Sequence, residues 1–218
     1  MNLMNKCYMC DEDGVTREHV PPLSFFPSGH RMNLVTVPSC HEHNSKNSKD
    51  VEYIRNIIVS HLDTNSVARA LFKDKILRSY SRSPKLKQRT FEKRMPVIVQ
   101  GQDSVIVELD MPRFKLVMKA IASAVYFKDF GKSSDGDWLI YSPSMVATKP
   151  IAQGLPDPVN PEIRALFGAV PFIQKSTANP KVFKYAAYDN NGKGVVYKFE
   201  FYEGFVVHAV DILQPTDK

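Results

Sequence analysis

The sequence predicts an α+β fold, and three observations carry that expectation. First, the chain's three cysteines, Cys7, Cys10 and Cys40, cluster with His43 near its start, in closely spaced pairs of the kind that close a small metal-held finger. Second, Pro112 to Phe130 sets Phe114, Val117, Met118, Ile121, Ala122, Val125 and Tyr126 at helical spacing, which predicts a strongly apolar core helix. Third, from Lys181 onward strand-like runs alternate with turns: KVFKYAAYD, NNGKG, VVYKFEFYE, Gly204 and FVVHAVDIL. That pattern predicts an antiparallel sheet. The chain then divides into a finger (1–62), a helical basic connector (63–95) and an α+β domain (96–218).

Cys7 and Cys10 form a C-x2-C pair, and Cys40 and His43 a C-x2-H pair some thirty residues later. Two such pairs close a tetrahedral zinc site, each presenting two ligands from one knuckle of backbone. His41 stands as a competing fourth ligand, although Cys40 to His43 spans a knuckle more naturally. Between the pairs, Glu18-His19 precedes Val20-Pro21-Pro22, Asn33-Leu34 opens an apolar run ending at Pro38, and Asn44 follows His43 directly. This order resembles the HNH (His-Me finger, ββα-metal) endonucleases, which combine an acid–His pair, an Asn about fourteen residues on, and a His or Asn just past the second zinc pair. His19 and Asn33 are 14 residues apart, and Asn44 comes 25 after His19. The wording E-H-x-P-P-x-x-x-F-P and V-P-S-C looks more narrowly like stand-alone, zinc-braced bacterial members. The resemblance covers residues 5–55 and implies a treble-clef-like ββα finger.

The residues themselves suit phosphodiester hydrolysis, which needs a base, an electrophile for the phosphoryl oxygens and stabilisation of the leaving oxygen. An imidazole is substantially neutral at physiological pH, so His19 suits the base. Glu18 and Asn44 offer the hard oxygen ligands that favour Mg²⁺ or Mn²⁺. Neighbours on a regular strand face opposite ways, so Glu18 and His19 enter one site only if the strand breaks there, as Pro21 and Pro22 favour. Asn33 is expected to cross-brace the following loop. The resemblance implies the same roles: His19 base, Asn33 brace, Asn44 metal ligand. It departs from the common family pattern in two places, Glu18 for Asp before the base and His43 for Cys at the last zinc position. His30, in a Ser-Gly-His-Arg loop, reads as a surface or phosphate-contacting histidine.

Beyond the finger motif, Lys49 to Leu62 carries Val51, Ile54, Ile57, Ile58 and Leu62 at helical period, and its start is expected to hold Asn44 near a positive N-terminal turn. His61 reads as a helix-end histidine. Asp63 to Ser66 is a capping stretch for a second helix with Val67, Leu71, Ile76 and Leu77 on its apolar face. Ser81 to Lys87 reads as a linker, followed by a short helix to Lys93. Pro96 to Leu109 predicts a hairpin around GQDS, Trp138 to Tyr141 a strand in a loop-rich stretch, and Pro161 to Phe167 a short helix. His208 reads as structural. Tyr185, Tyr188, Tyr197 and Tyr202 are expected to be exposed and open to binding.

At 218 residues the chain is long enough for a sizeable core. It has no run of eighteen or more apolar residues and no charged-then-apolar leader before Cys7, so neither a membrane partner nor secretion is expected. A cytoplasmic setting keeps thiols reduced and favours zinc over disulfides. Net charge is +6, yet residues 73–94 hold nine Lys or Arg against Asp74 and Glu92, which leaves the remainder close to neutral. Lys46, Lys49, Arg82, Lys85, Lys87 and Arg89 are the candidate nucleic-acid contacts, giving salt-sensitive affinity for phosphate. The expected function is an endonuclease acting on nucleic acid, with double-stranded DNA the favoured substrate. Family analogy suggests restriction or phage defence. The alternative is a catalytically inactive, zinc-stabilised module that binds nucleic acid or protein, and either reading accommodates a homodimer or a regulatory partner.

Overall fold

The computed structural model describes residues 6–45, 47–91, 94–99, 101–134, 137–145, 161–192 and 194–212. Near its start β1 (Thr16–His19) pairs antiparallel with β2 (Thr36–Ser39), in a register that sets Glu18 against Val37 and His19 against Thr36. Two helices follow, the short α1 (His41–Ser45) and α2 (Ser48–Val59). Asn44 therefore lies in α1, one helix earlier than the periodicity suggested. Asn47 marks the break, at φ −103° and ψ 13°.

The helical connector runs through α3 (Ser66–Leu71), a π-helical turn at Phe72–Ile76, α4 (Leu77–Arg82) and α5 (Pro84–Phe91). Asn65 caps α3, its side chain accepting from the N–H groups of Val67 and Ala68 at 3.0 and 3.2 Å. The π turn explains one departure from expectation. Its i, i+5 step inserts an extra residue into the helix, so Ile76 is fully buried while Leu77 is 43 % exposed. The expected linker is also helical: α4 runs to Arg82 and α5 starts at Pro84, a residue suited to a first helical turn.

Next come the hairpin β3 (Arg94–Val99) and β4 (Gln102–Val107), then α6 (Met111–Phe130). Helix α6 is capped by Asp110, whose carboxylate accepts from Arg113 N–H, and it ends on Gly131 at φ 69°, where glycine adopts the left-handed region without a Cβ penalty. The expected apolar face is buried, including Phe114, Val117, Met118, Ile121 and Val125. It packs on a five-stranded antiparallel sheet of order β5-β9-β8-β7-β6. The strands are β5 (Asp137–Tyr141), β6 (Ile173–Lys175), β7 (Phe183–Asp189), β8 (Val195–Phe201) and β9 (Phe205–Ile212), with α7 (Pro161–Ala169) between β5 and β6. Edge strand β6 was not expected. No helix among the described residues is long and apolar enough to cross a membrane.

The expected exposure of the tyrosines is overturned: Tyr185, Tyr197 and Tyr202 are at most 2 % exposed, and Tyr188 is half-buried. Tyr185 and Tyr197 alternate onto the same inner face as Phe183, Phe199 and Phe201. Their hydroxyls are satisfied there by Asp129 near the end of α6, at 2.7 and 3.3 Å. Tyr202 donates to the carbonyl of Phe25, and the Phe25 and Phe201 rings lie 5.5 Å apart. One apolar cluster thus runs from Cys7 to Ala209, and the finger shares its core with the sheet.

Gly204 is a point of close approach. A Cβ there would lie 2.1 Å from the Asp63 carbonyl oxygen and 2.7 Å from the Thr64 nitrogen. Both are backbone atoms, so relief requires the α2–α3 connection to move. Gly204→Ala is expected to cost about 2 kcal/mol and to lower the melting temperature by about 4–8 °C, as read by calorimetry.

His208 supplies a pH test. It is 6 % exposed, its Nδ1 makes no hydrogen bond among the described residues, and its ring stacks on Phe167 at 4.2 Å. Burial, reinforced by nearby Lys198, pushes its pKa down from 6.5 to about 4. The unfolded chain therefore binds the proton first as pH falls, and the folded state loses stability between about 6.5 and about 4. The expected slope is about 1.4 kcal/mol per pH unit. Urea unfolding of His208→Phe alongside the parent is expected to lack that component, and parallel pH profiles would refute it.

Candidate metal centre and adjoining cleft

Cys7, Cys10, Cys40 and His43 converge with all four donor atoms within 4.8 Å of one another. The Sγ atoms of Cys10 and Cys40 are 3.9 Å apart, and His43 Nδ1 lies 3.5, 3.4 and 3.2 Å from the sulfurs of Cys7, Cys10 and Cys40. A tetrahedral zinc with Zn–S of about 2.3 Å requires edges of about 3.8 Å between sulfurs and about 3.6 Å between sulfur and nitrogen. The group therefore fits a metal such as zinc. His41, the competing ligand, is exposed on the first turn of α1 and outside the group.

Local backbone explains this convergence. Cys7 N–H donates to Glu12 O at 2.8 Å and Tyr8 N–H to Pro38 O at 2.9 Å, which folds the first knuckle back onto β2. On the other side, the start of α1 carries His43 one turn past Cys40, and His43 N–H points at Cys40 Sγ from 3.5 Å. Burial opposes ionisation of Cys7, but the N–H groups of Met9 and Cys40 outweigh it and hold the thiol below its ordinary range. Cys10 is pushed up to about 11, chiefly by burial. A cation among the sulfurs reverses that preference.

Beside this group lies a cleft of about 490 Å³, lined by Glu18, His19, His43 and Asn44 together with one face of α2 and the Val117–Ala124 side of α6. Glu18 and His19 both reach it because β1 ends at His19, where strand alternation lapses. Burial pushes the Glu18 carboxyl up to about 7, against the His19 N–H that favours its charge. His19 is shifted below its ordinary value, first by burial and then by Arg31. Asn44 Nδ2 approaches the Arg17 carbonyl at 3.5 Å. Asn47 and Ser48 also line the cleft, so the positive end of α2 lies at its wall.

The brace expected from Asn33 is not formed. Asn33 is exposed at φ 54° in the turn before β2, outside the cleft, and its side chain makes no hydrogen bond among the described residues. Asparagine tolerates that left-handed conformation better than most residues, so its part here is the turn itself. His30 is half-buried and outside the cleft lining, and His61 Nε2 pairs with the Ser144 carbonyl at 3.1 Å, away from the cleft. Lys49 on α2 and Arg82, Lys85 and Lys87 on α4 and α5 are exposed. Lys46 lies outside the described residues, as does the Arg89 side chain. Two cationic cleft residues were missed, Arg17 on β1 and Arg55 on α2. A signal for the second was present: Arg55 interrupts the Val51, Ile54, Ile58 stripe at an apolar position.

Comparison with known proteins finds no matching family model, no matching curated protein and no matching solved structure.

Proposed function

We propose that this chain is a metal-dependent endonuclease of the HNH type, hydrolysing phosphodiester bonds of nucleic acid, with DNA the favoured substrate. The observation that carries this reading is the meeting of Glu18, His19 and Asn44 in one cleft against the Cys3His group. Their donor set fits a hard divalent cation. Glu18 is a carboxylate whose charge is disfavoured by burial until a cation joins it, and Asn44 adds an amide oxygen on the facing helix. Mg²⁺ or Mn²⁺ held by these two residues would supply Lewis-acid stabilisation of charge on the scissile phosphate. His19 takes the proton from the attacking water. Its downward shift keeps the imidazole neutral, and therefore basic, at neutral pH. Val117, Ile121 and Ala124 of α6 give the cleft an apolar wall, and low-dielectric surroundings strengthen electrostatic contacts.

The exposed cations of α4 and α5 are the surface on which the remaining strand rests. The testing experiment offers supercoiled plasmid, linear duplex, single-stranded DNA and RNA to the zinc-loaded protein with Mg²⁺, with Mn²⁺ or without added divalent cation. Cleavage of at least one substrate that depends on the added cation is the expected result. Folded, zinc-containing protein that cleaves none of them would favour the binding-module reading.

A further inference from the structure

We infer that Arg55, with Lys75 and Arg31 nearby, forms a second phosphate-binding subsite at the α2 wall of the cleft, where it holds a nucleic-acid phosphate next to the one that reacts. The inference rests on the nuclease reading for its ligand and on separate residues for its evidence.

Arg55 is 3 % exposed, yet it lines the cleft. A buried guanidinium normally has a carboxylate fork opposite it. Here Nε and Nη2 both donate to the neutral amide oxygen of Asn56, at 3.1 and 2.7 Å. Among the described residues its acidic contact is a single one, Nη2 to Glu52 Oε1 at 3.3 Å, and Glu52 is itself 42 % exposed. Nη1 makes no hydrogen bond among the described residues, leaving two N–H donors unused on a residue that lines the cleft.

The surroundings add positive charge instead of neutralising it. The π turn bearing Lys75 packs against α2, and π turns occur often at functional sites. Lys75 is held below its ordinary pKa by burial, then by Arg55 and Arg31, with Glu52 opposing. Arg31 is anchored through its Nε to the Phe26 carbonyl at 2.9 Å. Three cations from three separate segments thus share one incompletely balanced field beside the nuclease residues. Two oxygens of a phosphodiester accept from such a guanidinium in a planar, two-point contact that an ammonium group does not reproduce. The exposed basic face of α4 and α5 lies outside the cleft and is not part of this site.

The test measures binding of a short fluorescein-labelled DNA duplex, without added divalent cation and over a range of salt, to the parent protein, Arg55→Lys, Lys75→Ala and Arg31→Ala. Arg55→Lys keeps the buried charge and so favours a folded variant, and the other two positions are exposed. Arg55→Lys is expected to weaken binding about tenfold or more, and Lys75→Ala to lower the slope of log affinity against log salt by about one. Inorganic phosphate is expected to compete with the duplex for the parent more effectively than for Arg55→Lys. Affinities within twofold of the parent, with salt slopes unchanged from the parent's, in folded variants would overturn the subsite alone, leaving the nuclease reading intact. A parent that neither binds nor cleaves nucleic acid would overturn both.

Discussion

Replacing Cys7 or Cys40 with serine is expected to abolish cooperative folding of the whole chain, with loss of bound zinc. The free energy of binding a structural zinc at neutral pH is on the order of 10–16 kcal/mol, whereas an entire domain is stable by about 5–15 kcal/mol. Losing the metal therefore removes as much as the fold has to spare. The damage extends past the finger because the core is shared: Tyr202, in the turn between β8 and β9, donates to the Phe25 carbonyl, and Ser133 Oγ donates to the Cys7 carbonyl at 3.3 Å. Circular dichroism and metal analysis of Cys40→Ser, and of the parent treated with a strong chelator, check this. A variant that keeps the parent's single sharp transition without zinc would show the metal to be dispensable.

The second large effect falls on catalysis and spares the fold. His19→Ala removes a half-buried ring at the end of β1 but touches no cysteine ligand, so zinc content and unfolding temperature are expected to stay close to the parent's. The cleavage rate is expected to fall by about 10²–10⁴, the usual worth of a positioned general base. Glu18→Gln tests the proposed metal ligand apart from the proposed base. It keeps the side-chain shape while removing the charge, so its loss is expected to be partly recovered at raised Mn²⁺, whereas that of His19→Ala is not.

The metal group was legible because its information is local: two ligand pairs, each within four residues, identify themselves by spacing. The core helix and the three long C-terminal strands were legible from periodicity, since their apolar positions repeat without interruption. What escaped depends on partners far away in the chain. Tyr185 and Tyr197 fall in runs that read as strands, but whether their face meets water or α6 is decided by α6, some sixty residues earlier. The π turn shifts the buried stripe from Leu77 to Tyr80 through one inserted residue, a change that regular helical periodicity does not describe. Asn33 matched a motif position, yet its backbone is committed to a left-handed turn. Arg55 reads on its own as a flaw in an apolar stripe. Its place in a cleft emerges only when α2 is set against β1 and α6.

The most direct test of the central claim is a plasmid-nicking time course with zinc-loaded parent and His19→Ala, each with and without Mg²⁺. Mg²⁺ alone is expected to turn on nicking by the parent, with the equally folded His19→Ala slower by about 10²–10⁴. Equal nicking by the two proteins, or nicking indifferent to Mg²⁺, would contradict that claim.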